Sequence, residues 1–191
     1  MSLGEVYLQS VVKRLLTYKE LGEKTFLQLE EKDFHFQPQA ATGNARNADS
    51  APTPPASNSI AIIIRHMSGN MLSRWTNFLT EDGEKDWRDR ETEFDHSPAG
   101  REQLLELWNK GWDCLLASLR SLKEEDLLRT IHIRHEPLTA IDAINRQLAH
   151  YPHHVGQIVY IGKMIRNASW TSLSIPRGES EHFNNQMKRS K

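Results

Sequence analysis

Apolar residues recur at steps of three and four through most of the chain, and that spacing predicts helix. In the first segment they stand at Val6, Leu8, Val11, Val12, Leu15, Leu16, Leu21, Phe26, Leu27 and Leu29. Gly22 weakens the middle of that helix without ending it, and "EEKDFHFQP" closes it at Pro38. Met1–Leu3 is set aside from this reading. A second helix is predicted in "NSIAIIIRHMSGNMLSRWTNFLT", capped by Asn58 or Ser59, with Gly83 marking a turn beyond it. A third is predicted in "SPAGREQLLELWNKGWDCLLASLRSL", with Ser97 as N-cap and Pro98 in the first helical position. The piece "TIHIRHE" alternates instead, as an extended connector or small hairpin would. The fourth long helix is "TAIDAINRQLAHYPHHVGQIVYIGKMIRN", with Thr139 as N-cap.

Between the first two helices, Gln39–Ser57 is rich in Ala, Asn, Ser and Pro and nearly free of large apolar groups. Such a stretch cannot bury enough surface to offset the entropy of ordering, so it reads as a flexible surface insertion. The polar tail, residues 182–191, reads as loose. Four long helices with irregular connections predict an all-α fold, a four-helix bundle, formed by one domain over residues 1–191.

Composition narrows the function classes. The formal net charge is -1 and the pI about 6.8, which gives no basic face of the kind nucleic acid requires. The one cysteine, Cys114, excludes a disulfide framework and a Cys-rich metal site, and fits a reducing, cytoplasmic setting. No run is long enough for a signal segment or a membrane span.

The stretch "LAHYPHHVGQIVYIGK" puts His150, His153 and His154 within five residues. Residues four apart share a helix face, so His150 and His154 point the same way and can converge on one cation. His153 is turned about 100° from His154 and cannot join them in a straight helix. The face of His150 also carries Ala143, Gln147, Gln157 and Ile161, next to an apolar stripe of Ile141, Ile144, Leu148, Val155, Val159 and Gly162. His66 follows the apolar run of the second helix and shares a face with Ile62, Ile63, Asn70 and Ser73. Taken alone, each histidine is as well explained by an ordinary hydrogen-bonded side chain. Together, three neutral imidazoles from two helices form a catalytic-type set with positions left for water or substrate. Pro152, between the paired histidines, removes a donor and predicts a kink or bulge that frees the Leu148 carbonyl.

"LAHYPHHVGQIVY" resembles the HxxxHxGQ signature of the DinB/YfiT-like metalloenzymes. "IAIIIRHMSGNMLSRWTNFLTEDGEKDWRDRETEF" and "SWTSLSIPRGESEHFN" are similar to one Bacillus-type branch of them whose reaction is not settled. The resemblance implies a four-helix bundle, often a homodimer, and one divalent metal, zinc, nickel or iron, held by His66, His150 and His154. It also implies that "SIPRG", Ser174–Gly178, closes over the site, and that Pro152 departs from the branch's pattern. Members of the wider group include transferases that use low-molecular-weight thiols such as bacillithiol, and metal-dependent hydrolases.

Arg65 and Asn70 flank His66 and are candidates for substrate contact or ligand support, as are Gln157 and Arg74. The cluster Arg74, Trp75, Trp87, Arg88 and Arg90 reads chiefly as a solvated face with ordinary salt bridges. Trp108 and Trp112 read as core, and Cys114 as an inert buried thiol. No unambiguous general base accompanies the histidines, since Gln147 and Gln157 do not titrate. The expected chemistry is therefore transfer of a small thiol to an electrophilic small molecule, with metal-dependent hydrolysis as the alternative. A non-enzymatic metal-binding or stress-associated module is the reading from another class. No nucleic-acid or membrane partner is expected.

Overall fold

The computed structural model describes residues 1–38, 57–95 and 98–189. The expected insertion Gln39–Ser57 lies outside them except for Ser57, and so does the proposed cap Ser97. The described residues are mostly helical, and among them are five α-helices and one two-stranded sheet.

Helix α1 spans Leu3–Phe26. Ser2 belongs to the fold after all: its hydroxyl accepts from the Glu5 N–H and the Glu5 carboxylate accepts from the Ser2 N–H, so two end donors are satisfied reciprocally. Gly22 is there for packing. A Cβ at that position would run into the Trp108 indole, and Trp108 packs edge-on against Phe26 at 5.0 Å between ring centroids. Arg101 reaches back to the carbonyls of Phe26 and Leu29 at 3.0 and 2.9 Å and satisfies acceptors that the end of α1 leaves free.

Helix α2, Ile60–Trp75, is capped by Ser59, whose hydroxyl accepts from the Ile62 N–H. All its residues are buried except Arg65, Gly69 and Leu72. A helix apolar on nearly every side belongs in a core, and α2 packs against both α3 and α4. Helix α3 is Arg101–Ser121, not a helix from Pro98. Gly100 is its N-cap, and the Gln103 amide oxygen accepts from the Gly100 N–H at 3.2 Å. That bond and the Leu104 N–H donating to the Gly100 carbonyl at 3.1 Å mark the start, and Pro98 stays outside it. Trp108 and Trp112 are buried, as expected.

Strands β1, Thr130–Ile133, and β2, Glu136–Thr139, form the hairpin. Its two turn residues, Arg134 and His135, both have positive φ, 56° and 64°. Two left-handed residues make the tight turn whose twist matches paired strands. Asp82 holds it, accepting from the Arg134 and His135 N–H groups at 2.8 Å each. Gly83 adds a backbone bond to the His132 carbonyl at 2.8 Å.

Helix α4 runs from Ala140 to Arg166, with the Thr139 hydroxyl accepting from the Asp142 N–H. It continues as α-helix through Pro152, so the kink or bulge expected there does not interrupt it. Its buried residues are Ala140, Ala143, Ile144, Gln147, Tyr151, Val155, Ile158, Ile161 and Gly162, so Ile144, Val155 and Gly162 of the expected stripe are buried, while Ile141, Leu148 and Val159 are only partly buried. The core face is thus rotated by part of a turn from the expected one. Helix α5, Ser180–Arg189, forms within the tail and has no buried residue. No helix among the described residues is long and apolar enough to cross a membrane.

Candidate metal centre

Helix α2 brings His66, and α4 brings His150 and His154, to one place. One nitrogen from each ring lies within 4.8 Å of the others. The Nε2 atoms of His150 and His154 are 3.1 Å apart. At metal–nitrogen bonds of about 2.0–2.1 Å, two ligands on a tetrahedral or octahedral edge stand about 2.9–3.4 Å apart, so this pair already has ligand spacing. His153 is exposed and outside the cluster.

The rings are held by their other nitrogens. His66 Nδ1 lies 2.9 Å from Glu93 Oε2. An ionised carboxylate only accepts, so Nδ1 carries the proton and Nε2 keeps its lone pair. His154 Nδ1 donates to the Gln157 amide oxygen at 2.8 Å, again leaving Nε2 free. This is the arrangement by which supporting groups fix the tautomer and aim of a ligating imidazole. His150 Nδ1 is buried without a partner. With Nε2 of His154 unprotonated, the short contact is made by His150 Nε2–H. A cation taking both lone pairs would move that proton to Nδ1. Burial pulls the His150 pKa down to about 3, helped by the neighbouring His154 and His66. Burial likewise lowers that of His154. Both rings are therefore neutral at pH 7, the form that binds metal.

Glu93 was not singled out in the sequence. It sits in a single 3-10 turn, Glu91–Phe94, and is gripped by Arg88, whose Nε and Nη2 donate to its two oxygens at 2.7 and 2.9 Å. Burial alone would raise the Glu93 carboxyl; the bonds from His66 and Arg88 more than offset that and hold it below the ordinary carboxylate range. Gly69 makes room, since a Cβ there would overlap a Glu93 oxygen. Phe94 lies against His66 at 5.2 Å between centroids.

Several expectations need correction. Arg74, Trp75 and the Arg88 side chain are buried, not a solvated face; only Trp87 and Arg90 are exposed. Arg74 donates to the Gly83 carbonyl and to Glu84. Arg65 contacts no histidine; its guanidinium holds the carbonyls of Thr92 and Asp95 and so fixes the turn that carries Glu93. Asn70 accepts from the Tyr151 hydroxyl at 3.0 Å, and Tyr151 accepts from Trp75 Nε1 at 3.0 Å. Cys114 is half-buried, with its sulfur 3.6 Å from the Thr76 hydroxyl. Ser174–Gly178 is largely exposed and does not line the histidine cavity.

That cavity holds about 500 Å³ and is lined by His66, His150, His153, Asn70, Gln147, Ala149 and five arginines. Its size suits a small molecule. A larger cavity of about 730 Å³ lies between α1 and the end of α3, but it includes none of the three histidines.

The histidine pair, its partner on the second helix and the helical frame are consistent with the DinB-like class that the sequence resembles. More narrowly, the chain belongs to the family described as "Protein of unknown function (DUF1572)", which matches residues 2–179. No curated protein and no solved structure matches the chain.

Proposed function

We propose that this protein is a metal-dependent enzyme built as a four-helix bundle of the Bacillus-type DinB branch. His66, His150 and His154 hold one divalent ion, and the reaction transfers a low-molecular-weight thiol to an electrophilic substrate. The observation that carries this is the convergence of three imidazole nitrogens within 4.8 Å, two of the rings braced through their far nitrogens. A divalent ion on three neutral ligands keeps its full charge and makes a bound thiol or water acidic enough to supply a nucleophile near neutral pH.

The chain's own groups favour the thiol over water. Hydrolysis is helped by a free general base, and the nearest carboxylate, Glu93, is already engaged by His66 and Arg88. Its work is to hold the His66 proton at Nδ1. Cys114 does not line the cavity, so the sulfur comes from a cosubstrate. Asn70 and Gln147 offer uncharged polar contacts at the cavity wall. A cytoplasmic homodimer acting on a small molecule completes the reading.

The test begins with elemental analysis of protein purified without an affinity tag. About one divalent ion per chain is expected, lost in His66→Ala, His150→Ala and His154→Ala and kept in His153→Ala. Metal-loaded protein is then given bacillithiol and chloro-dinitrobenzene, with glutathione and cysteine in parallel. Turnover that disappears in His154→Ala supports thiol transfer. Cleavage of an ester or amide panel without thiol turnover assigns a hydrolase. Bound metal with silence in both assays points to a non-enzymatic module.

A further inference from the structure

Five guanidiniums line the cavity beside the histidines: Arg74, Arg88, Arg90, Arg134 and Arg146. They arrive from α2, from the irregular stretch after it, from the hairpin turn and from α4. No acidic side chain is among the lining residues. Three carboxylates pair with four of the arginines from outside the lining. Glu84 serves both Arg74 and Arg134, Glu93 serves Arg88, and Glu91 serves Arg90. Arg146 makes no ion pair among the described residues, and the lining keeps a positive surplus.

Besides His150 Nδ1, two buried polar atoms of the lining residues lack partners. Arg88 Nη1 is one, on a side chain 2% exposed. Gln147 Oε1 is the other, on a residue 4% exposed. Buried polar groups are nearly always satisfied, and each exception asks for a partner. A carboxylate or phosphate oxygen answers a free guanidinium N–H, and a hydroxyl or amide N–H on the same molecule answers the glutamine oxygen. Arg146 stands one helical turn before His150, so the two side chains share a face of α4 about 5–6 Å apart at Cβ.

We propose that this cavity is the anion subsite for the substrate of the histidine centre. It takes a small molecule whose carboxylate or phosphate is gripped by Arg146, Arg134 and Arg90 while its reacting group, a few ångströms away, reaches His66, His150 and His154. Exposed Arg90, Arg134 and Arg146 are reachable by an incoming ligand, and the surplus charge draws an anion into a cleft that focuses it. Naming the substrate as an anion rests on the proposed metal centre for its reacting end, whereas the arginine grip needs no ion.

The experiment is calorimetric titration of inorganic phosphate and of succinate into the full chain, once zinc-loaded and once stripped by a chelator. The same titrations follow with Arg134→Ala/Arg146→Ala and with the single exchange Arg146→Gln, which changes only one exposed helix position. Saturable binding of at least one anion is expected in the stripped protein. It should weaken about tenfold or more in the double variant, a loss typical of charge-assisted hydrogen bonds, with zinc content unchanged. Which anion binds separates a phosphate ligand from a carboxylate one. Binding of neither anion overturns the subsite, and so does equal affinity in both variants with circular dichroism showing them folded. Protein that holds zinc on its histidines yet ignores both anions loses the subsite and keeps the metal reading. Protein that binds the anion through the arginines but takes up no zinc keeps the subsite and loses the metal reading.

Discussion

The two walls of the histidine cavity are built in different ways. One is α4, a regular helix that lends Arg146, Gln147, Ala149, His150 and His153 to the lining and carries His154 beside them. Its support is light: a neutral amide behind His154, and nothing behind His150 Nδ1. The other wall is α2 together with residues 81–95 and the hairpin, and there nearly every group is held by charge. Glu93 lies between His66 and Arg88, Glu84 between Arg74 and Arg134, and Asp82 takes the N–H groups of the hairpin turn. On the helical wall, geometry comes from the backbone, and losing one side chain should remove little else. On the irregular wall, geometry comes from paired ions, and losing one partner strands the other in a poorly solvated place.

The sharpest way to break that contrast is Arg88→Met. It leaves Glu93 buried with only His66 for company, and removing one partner of a buried pair costs about 3–5 kcal/mol. Gln157→Ala on the helical wall should stay within about 0.5 kcal/mol of the parent chain. Urea unfolding of the two variants decides it, and equal losses would erase the distinction. A smaller effect is expected in metal affinity. Glu93→Gln keeps the shape but removes the charge that fixes the His66 proton, and a roughly 10–100-fold weaker ion is expected, as for other groups behind ligating imidazoles. Gln157→Ala should cost less than about tenfold. Competition against a coloured chelator measures both, and a larger loss for Gln157 would reverse the ranking of the walls.

The smallest effect concerns pH. Burial acts to raise the Asp82 carboxyl, but the N–H groups of Glu84, His135 and Arg134 outweigh it and hold the pKa at about 2, against 3.8 for the free side chain. The folded value lies below the unfolded one. The stability Asp82 adds is therefore complete above pH 3.8 and is lost as pH falls toward 2. Asp82→Ala should lower the melting temperature at pH 6 and flatten its fall between pH 4 and 2. A variant as steep as the parent chain would assign the acid sensitivity elsewhere.

The same contrast explains what could be read from the residues alone. Helix periodicity is local, so α1 to α4, the Thr139 cap, the α2 cap to within Asn58 or Ser59 and the face shared by His150 and His154 were all legible. The placement of His66 followed from the apolar run around it. Glu93 was not legible. It lies 27 residues from the histidine it supports, in a stretch without period, and nothing local says that its partner is Arg88. The burial of Arg74 and Arg88 was missed for a related reason: arginines are mostly exposed, and the exceptions depend on a partner that spacing does not reveal. The start of α3 went wrong through two competing local signals. The Ser97–Pro98 pair looked like a helix start, yet the helix begins at Arg101, after Gly100, whose N–H is taken by the Gln103 amide oxygen. The hairpin remained one of two options because its turn residues, Arg134 and His135, are not the glycine or asparagine that usually announce such a turn.

Tyr151 adds a consequence of its own. Its buried hydroxyl accepts a hydrogen bond from Trp75 and donates one to Asn70, both on α2, while its backbone belongs to α4 next to His150. Both donor and acceptor capacity are used, and burial keeps the phenol protonated well beyond its ordinary range. The hydroxyl thereby gauges the axial register of the two helices. A slip by one turn, about 5.4 Å, would exceed the whole span of the imidazole cluster and would orphan all three polar groups at once. The distance between His66 and the α4 histidines is thus fixed by a neutral hydrogen-bond relay that never touches an ion. Capture of the proposed ion would then require no sliding of helices, and the entropy of assembling the ligands would be met when the chain folds rather than when the ion arrives.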